Sequence, residues 1–194
     1  MRALFRGRLR GREKKYEEYA YVLDFFMREV RAGRRPFIGP VVQLVGEEFF
    51  TLLEAVAKLG VELKPQERIY IGRNEREHIA YIIGRISYDD LTVAAKAELP
   101  IAVETIIARN EERFVRFFNT AGPLTPRLHA LELLPGIGKR YMWLILEERE
   151  RRPFESFEDL QKRTGLPNPV KMIAKRVMEE LAEKPRYRLF TRPR

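Results

Sequence analysis

The stretch LHALELLPGIGKRYMWLILEERE, residues 128–150, contains the pattern that decides the fold of the C-terminal part of the chain. An apolar segment that reads as helix ends at Leu134–Pro135, and a second helix is predicted to begin near Lys139. In the turn Gly136–Gly138, the glycines tolerate positive φ and let the backbone approach another surface closely. Ile137 lies between them, where its side chain can plug the turn into the core. The pattern therefore predicts two helices joined by a tight turn.

This arrangement resembles a helix-hairpin-helix motif, in which hydrophobic-Pro-Gly-hydrophobic-Gly is followed by a basic residue. The first amides of a helix have no acceptor within it, so they point outward at the positive end of the helix dipole and can bind a phosphate. Met142 departs from the motif, which usually has a small residue there, and core packing is favoured for Trp143 over stacking on a base. A turn that binds no ligand is the alternative. The predicted phosphate-binding residues are Gly136, Ile137, Gly138, Lys139, Arg140 and Tyr141.

The segment PFESFEDLQKRTGLPNPVKMIAKRVMEEL, residues 153–181, resembles a second, degenerate copy of the motif. Ser156 and Asp159 fit a capping box at a helix start, and Asn168 fits the N-cap of the last helix. The turn GLPNP lacks the Gly-x-Gly spacing, so we expect it to be structural. The last helix is predicted to bury Ile173, Val177 and Leu181 and to expose Lys171, Lys175 and Arg176.

The N-terminal half has the patterns of a small β-rich unit. The predicted elements are a strand over 15–29, a loop over 31–40, a strand over 40–45, a helix over 47–60 that ends at Gly60, and strands over 62–72 and 76–88. This order, with Gly-bearing turns, is typical of a small barrel such as an OB fold. An unrelated α+β roll is the alternative.

From residue 92 onward the strand pattern disappears. Residues 92–119 are predicted to be helical, with Pro100 in a first turn after a break, and AGPLTP (121–126) is predicted to be a linker. The fold class we expect is α+β, an OB-like β-barrel followed by an all-helical tandem helix-hairpin-helix domain. The predicted division is 1–15 basic arm, 16–91 barrel, 92–126 bridging helices and linker, 127–183 helix-hairpin-helix domain and 184–194 basic tail.

The charge of the chain is concentrated at its two ends. The 194 residues carry a net charge of +9, of which residues 1–15 contribute +6 and residues 184–194 contribute +5, so the part between them is at −2. Short basic arms on a nearly neutral body are typical of proteins that bind a polyanion, although solubilising ends are the plainer alternative. Arg outnumbers Lys in both arms, which suits bidentate contacts with phosphate.

A second candidate surface lies on the predicted strands of the barrel. Its basic and aromatic residues are Arg68, Tyr70, Arg73, Arg85 and Tyr88. Alternation along a strand would place Arg68 and Tyr70 on one face, and single-strand-binding barrels use such a mixture of side chains. It is equally consistent that the tyrosines cover the core and that the arginines pair with nearby glutamates such as Glu67, Glu75 or Glu77.

At full length the sequence resembles an archaeal family, domain of unknown function 655. The segments that carry this resemblance are YVLDFF, GRRPFIGPVVQLVGEEFFTLLE, ERIYIG, YIIGRISYDDLT, FFNTAGPLTPRLHALELLPGIGK and MWLILEER, over roughly 16–183. The resemblance implies an RNA- or nucleotide-binding protein with a barrel-like N-terminal domain and a C-terminal helix-hairpin-helix domain. The genomic neighbourhood of the family favours RNA over DNA, in translation or ribosomal RNA processing.

Enzymatic readings have weaker support. The chain has no Cys, which excludes disulfides, thiolate zinc sites and cysteine nucleophiles, and no phosphate-binding or dinucleotide-binding glycine motif is visible. His78 and His129 lack partners at metal-ligand spacing. Helix-hairpin-helix DNA glycosylases have an aspartate roughly twenty residues after the hairpin, and Asp159 lies 21 residues after Gly138, but a helix start explains this residue. We therefore expect no catalysis, no cofactor, no metal and no membrane segment, and a cytoplasmic location. The alternative function is a scaffold that binds a ribosomal or transcription protein.

Overall fold

The computed structural model describes residues 16–32, 35–183 and 185–192. Its N-terminal part is a curled, five-stranded antiparallel sheet with the order β4-β1-β2-β3-β5. The strands are β1 (Tyr19–Ala32), β2 (Arg35–Gly46), β3 (Leu52–Ala57), β4 (Arg68–Tyr70) and β5 (Ile79–Arg85). The sheet forms half of a barrel, and with the helices that follow it makes the fold α+β, as expected.

The predicted helix over 47–60 is wrong, because this segment contains β3. Every residue of β3 is buried, since the strand lies between β2 and β5 and both of its faces are covered. Leu52 packs in the large core with the helices, whereas Leu53 packs in a smaller core on the other face of the sheet. A strand buried on both faces loses its alternation, so its apolar residues can also match helical spacing.

Two other predictions for the sheet need correction. The loop predicted over 31–40 is mostly strand, because β1 and β2 form a long hairpin in which Ala32 pairs with Arg35. The strand predicted over 62–72 is reduced to the three residues of β4, which pair with Tyr19–Tyr21 of β1. The strands predicted over 15–29, 40–45 and 76–88 are confirmed, with shifted ends, by β1, β2 and β5.

The helical part contains α1 (Val93–Arg109), α2 (Glu111–Thr120), α3 (Lys139–Arg151), α4 (Phe157–Thr164) and α5 (Pro169–Ala182). Between α2 and α3 lie two short paired strands, β6 (Pro123–Thr125) and β7 (Leu128–His129), and a 3-10 helix, Ala130–Leu133. The N-caps predicted for α4 and α5 are confirmed: Ser156 accepts a hydrogen bond from the Asp159 amide, and Asn168 accepts one from the Lys171 amide.

Three helical predictions are wrong. Pro100 lies inside α1 and not in a first turn; it is exposed, and the helix continues through it. The predicted linker 121–126 contains strand β6. The apolar segment before Leu134 is a four-residue 3-10 helix, so the hairpin has one full α-helix, α3, on its C-terminal side only.

The first helix is fixed to the sheet by a polar network at its start. Thr92, the N-cap of α1, accepts a hydrogen bond from the Ala95 amide and donates its hydroxyl to Asp24 of β1 at 2.6 Å. The Thr92 amide in turn donates to the side chain of Gln43, a buried residue of β2. Because these groups are satisfied by one another, the network sets the position of α1 on the sheet.

One large hydrophobic core joins the sheet to all five helices. It includes Leu23 of β1, Phe50, Ile106 of α1, Ile145 of α3 and Ile173 of α5, so it extends across both sides of residues 121–126. The domain division predicted from the sequence stays a prediction. In the described part of the chain, no helix has the length and apolar character needed to cross a membrane.

The C-terminal segment 185–192 docks against the helices. Glu180 of α5 is fully buried, and its carboxylate accepts hydrogen bonds from the amides of Leu189, Phe190 and Thr191 at 2.6–3.1 Å. Arg176, predicted to be exposed, is buried because it pairs with the same carboxylate at 3.0 Å. The segment we described as a basic tail is therefore a built part of the fold up to residue 192.

Candidate nucleic-acid interface

The turn of the hairpin is shaped by its first glycine. Gly136 has φ +93°, a conformation that other residues rarely adopt, so this turn favours glycine. A Cβ there would also lie 2.8 Å from the Cε of Met172 in α5, the end of a flexible side chain. Gly138, by contrast, is extended with φ −88° and ψ −177°, and a Cβ there would meet open space. Ile137 is buried as predicted, and Met142 is buried in the core where the motif usually has a small residue.

The start of α3 presents a basic, exposed face. Lys139 pairs with Glu132 at 2.8 Å, which holds its ammonium group beside the turn. This hydrogen bond and a second one from the His129 amide lower the pKa of Glu132. Arg140 is exposed, and so is Trp143, whose exposed fraction of 65% corrects the prediction that it packs in the core. Spacing of three and four residues places these side chains on one stripe of the helix.

Tyr141 and His129 support the hairpin from within. The hydroxyl of Tyr141, which is half-buried, donates to the carbonyl of Gly165 at 3.3 Å and so links α3 to the turn that follows α4. His129 is the N-cap of the 3-10 helix, where its Nδ1 accepts a hydrogen bond from the Leu131 amide. Burial, and then the charge of Arg149, lower the pKa of His129. Both side chains therefore stabilise the structure around the turn.

On the sheet, Arg68 and Tyr70 share a face, as alternation predicts, but their contacts are internal. Arg68 pairs with Glu47 at 2.7 Å and its guanidinium lies 3.6 Å from the centre of the Tyr19 ring. Tyr70 packs edge-on against Tyr19 and accepts a hydrogen bond from the Asn74 amide. The pocket around Arg68 is also lined by Glu18, Glu47 and Glu48 and by Arg113.

Arg73 and Arg85 lie elsewhere, at a cleft of about 360 Å³ between the two edge strands of the half-barrel. Arg73 follows β4 and Arg85 ends β5, and because the sheet curls, both reach the same opening together with Arg76. Arg76 donates its Nε to the carbonyls of Ile71 and Gly72, which orders this corner. The floor of the cleft is apolar and is formed by Leu53, Ile71 and Ile82.

A second cleft of about 300 Å³ continues the first, with Thr51 and Arg85 common to both. Its other side is formed by the docked C-terminal segment, which contributes Arg188 and Arg192, and by Tyr88. We call the two clefts together the arginine groove; its arginines are Arg73, Arg76, Arg85, Arg188 and Arg192. Among the described residues that line it, the single acid is Glu17.

Glu17 is occupied by the backbone. Its buried carboxylate accepts hydrogen bonds from the amides of Glu48, Phe49 and Thr51 at 2.8–3.3 Å. The loop held in this way contains Phe50 at φ +52°, a conformation that is rare for an aromatic residue and that often marks a functional site. Because of this turn, Phe50 is fully buried in the core and Phe49 lines the groove.

Two aromatic rings in the groove lie against arginines. The guanidinium of Arg73 is 3.9 Å from the centre of the Tyr16 ring, and that of Arg192 is 3.5 Å from the centre of the Phe49 ring. Sequence reasoning included Arg73 and Arg85 but missed Tyr16, Phe49 and Arg76. The charge of the C-terminal tail was the one signal that pointed to Arg188 and Arg192. Phe49 was missed because the predicted helix over 47–60 placed it among the apolar residues of that helix.

Within the described ranges, no group of three or more His, Asp or Glu side chains is arranged to hold a metal ion. Asp159, the residue with glycosylase-like spacing, pairs with Arg152 and Arg163 at 3.1 Å each and also accepts a hydrogen bond from the Glu155 amide. Burial opposes the ionised form, but these hydrogen bonds outweigh it and lower the pKa of Asp159. Its carboxylate therefore acts in the packing of α4.

Comparisons with known proteins agree with this fold. A family model described as a protein of unknown function, DUF655, matches residues 16–192. The uncharacterised protein MJ0038 of Methanocaldococcus jannaschii is 44% identical over 185 residues, which are 94% of this chain and 83% of that protein. The crystal structure of Af1531 from Archaeoglobus fulgidus is 46% identical with a TM-score of 0.80, over 91% of this chain and 100% of that one. The family match includes the docked C-terminal segment, which we had expected to lie outside it. This chain belongs to the DUF655 family.

Proposed function

We propose that this protein binds nucleic acid, with RNA favoured over DNA, and that it does so through phosphate contacts without catalysing a reaction. The observation that carries the proposal is the arginine groove. Its lining contains five arginines and one acid, Glu17, and the carboxylate of Glu17 accepts hydrogen bonds from backbone amides. Arginine makes paired hydrogen bonds to phosphate oxygens in a fixed geometry, so such a groove suits a phosphodiester chain.

The start of α3 is a second contact surface in this proposal. The amides of Lys139, Arg140 and Tyr141 precede the first hydrogen bond of the helix, in which the Met142 amide donates to the Gly138 carbonyl. A phosphate placed there meets the positive end of the helix dipole and the exposed Arg140. Such contacts read the backbone of a nucleic acid and not its bases.

The proposal makes a quantitative prediction about salt. If the five arginines each neutralise one phosphate of a single strand, the slope of log K against log salt concentration is about −0.7 per contact, or about −3.5 in total. Raising the salt from 50 to 200 mM should then weaken binding by about 100-fold. Binding to apolar surface would change little over this range.

The experiment is a salt-titrated anisotropy measurement with the full chain and labelled RNA. Arg73→Glu/Arg85→Glu should weaken binding and flatten the salt slope. The matched control is Arg116→Glu/Arg127→Glu, which has the same change of charge at exposed arginines outside both surfaces. Gly138→Glu tests the hairpin, because the open space and ordinary φ at this position let the fold accept a side chain. Binding that is equally weak in the control pair would refute a localised site.

A protein-interaction scaffold is the second candidate function, and a different observation favours it. The β1–β2 hairpin extends past its neighbours, since β4 pairs with Tyr19–Tyr21 only and β3 pairs with β2 from Val41 onward. Two apolar side chains of this hairpin, Met27 and Ile38, are 61% and 72% exposed. Binding of a ribosomal or transcription protein would support this candidate over the first if the binding is insensitive to salt and is lost in Met27→Lys/Ile38→Lys.

A further inference from the structure

We infer that the arginine groove takes an unpaired strand, with bases on the pairs Tyr16–Arg73 and Phe49–Arg192 and phosphates on the arginines of the rim. This inference rests on the proposed function and adds the class of nucleic acid and its orientation.

The size of the two clefts suits a single base better than a paired duplex. Each cleft is about 300–360 Å³, within the size range of sites that enclose one small organic group. A double helix presents phosphates on a convex surface and keeps its bases stacked inside, so it can contact the rim alone. A base enters such a concave site only when it is unpaired.

The floor and the rim of the groove differ in chemistry in the same way as the base and the phosphate of a nucleotide. The floor is apolar, with Leu53, Ile71 and Ile82, and this suits the flat face of a base. The rim is basic, which suits a phosphate. A site for phosphate alone has no use for the apolar floor, and a site for an apolar ligand has no use for the arginines.

The two aromatic rings mark two positions along the groove. Tyr16 is 47% exposed and carries Arg73 on its face, and Phe49 carries Arg192. Bases stack both on aromatic rings and on guanidinium planes, so each pair offers a platform that tolerates any base. Since the two clefts are continuous through Thr51 and Arg85, the platforms fit nucleotides of one strand.

The test compares three labelled ligands on the full chain at low salt: a single-stranded RNA, the same RNA in a duplex and a mononucleotide. The single strand should bind at least 10-fold more tightly than the duplex. Phe49→Leu should weaken binding of the single strand by about 5- to 100-fold, the effect of losing one stacked base, with duplex binding and the salt slope unchanged. The matched control is Phe37→Leu, at an exposed phenylalanine on the β1–β2 hairpin.

The outcomes separate this inference from the function it rests on. Absence of salt-sensitive binding to any polymer refutes the proposed function. Duplex binding as tight as single-strand binding, or no effect of Phe49→Leu, overturns the inference and leaves the function standing. A mononucleotide that binds as tightly as the strand overturns the assignment to a polymer. If Phe49→Leu lowers the Tm, the inference is tested on the wild-type chain by crosslinking to RNA that contains 4-thiouridine. Crosslinks are expected at Tyr16 and Phe49.

Discussion

Replacing Glu180 by alanine should undock the C-terminal segment and thereby damage the arginine groove. The carboxylate of Glu180 is fully buried and satisfies three backbone amides, the Thr191 hydroxyl and the guanidinium of Arg176. Without it, the buried Arg176 loses its ion-pair partner at 3.0 Å, and the amides of Leu189, Phe190 and Thr191 lose their acceptor. Phe190, which packs edge-on against Phe114 and Phe117, would lose the hydrogen bond that places it there.

The expected cost follows from these contacts. Removing one partner of a buried ion pair costs about 3–5 kcal/mol. Arg176 keeps the Tyr187 carbonyl and Glu179 at 3.7 Å, but the backbone amides of the segment lose their acceptor as well. The amides share this loss and do not add to it one by one, since the segment can move out into water. At about 2–4 °C per kcal/mol for a chain of this size, the Tm should fall by about 6–20 °C.

Urea denaturation and RNA binding measure the two consequences. Glu179→Ala is the matched control, because Glu179 is the preceding residue of α5, is 29% exposed and lies 3.7 Å from Arg176, so its loss should cost less than about 1 kcal/mol. In Glu180→Ala the salt slope of RNA binding should also shrink by about 1.4, since Arg188 and Arg192 leave the groove. Equal stability of the two variants would refute the assigned role of Glu180.

Three further predictions concern the hairpin and the helices around it. Gly136→Ala should destabilise the protein by about 1–3 kcal/mol in urea denaturation, because its φ is +93°, whereas Gly138→Ala should stay within about 0.5 kcal/mol of wild type. Burial opposes ionisation of Asp159, but its hydrogen bonds outweigh burial and lower its pKa in the folded state. The ionised carboxylate therefore stabilises the fold above the ordinary carboxyl pKa, and this stabilisation is lost as the pH falls through the lower pKa of the folded state. The unfolding free energies of wild type and Asp159→Asn should differ at neutral pH and converge in acid. Trp143 is the single tryptophan and is 65% exposed, so Trp143→Phe should leave the Tm unchanged. Adding RNA should change the tryptophan emission of the wild type. Gly138→Glu should abolish this change, and Arg73→Glu/Arg85→Glu should retain it.

The parts of the fold that were predictable from sequence are those set by local chemistry. Ser156 and Asn168 cap helices because a short polar side chain can reach an amide two or three residues ahead. The start of α3 at Lys139 follows from the glycines before it. These signals act within one turn of chain, so they are visible without knowing what the segment packs against.

The predictions from sequence are wrong where contacts with residues distant in the chain determine the structure. β3 is a strand because β2 and β5 lie on its two sides, and nothing within residues 47–60 specifies those partners. Trp143 is exposed because the core side of α3 is filled by Met142 and Ile145. The arginine groove is the extreme case, since its lining residues come from the start of the described chain, from three separate parts of the sheet region and from the C-terminal segment.

The two sides of the groove are positioned by the same device. Glu17 is a buried carboxylate that gathers three amides of the loop carrying Phe49, and Glu180 is a buried carboxylate that gathers three amides of the segment carrying Arg192. The contact between Phe49 and Arg192, at 3.5 Å, is where the two loops meet. A site ordered before its ligand arrives loses less conformational entropy on binding, so these carboxylates contribute to affinity without touching the ligand. RNA binding by the groove is accordingly expected to weaken when either glutamate is replaced, although the sequence still contains all five arginines.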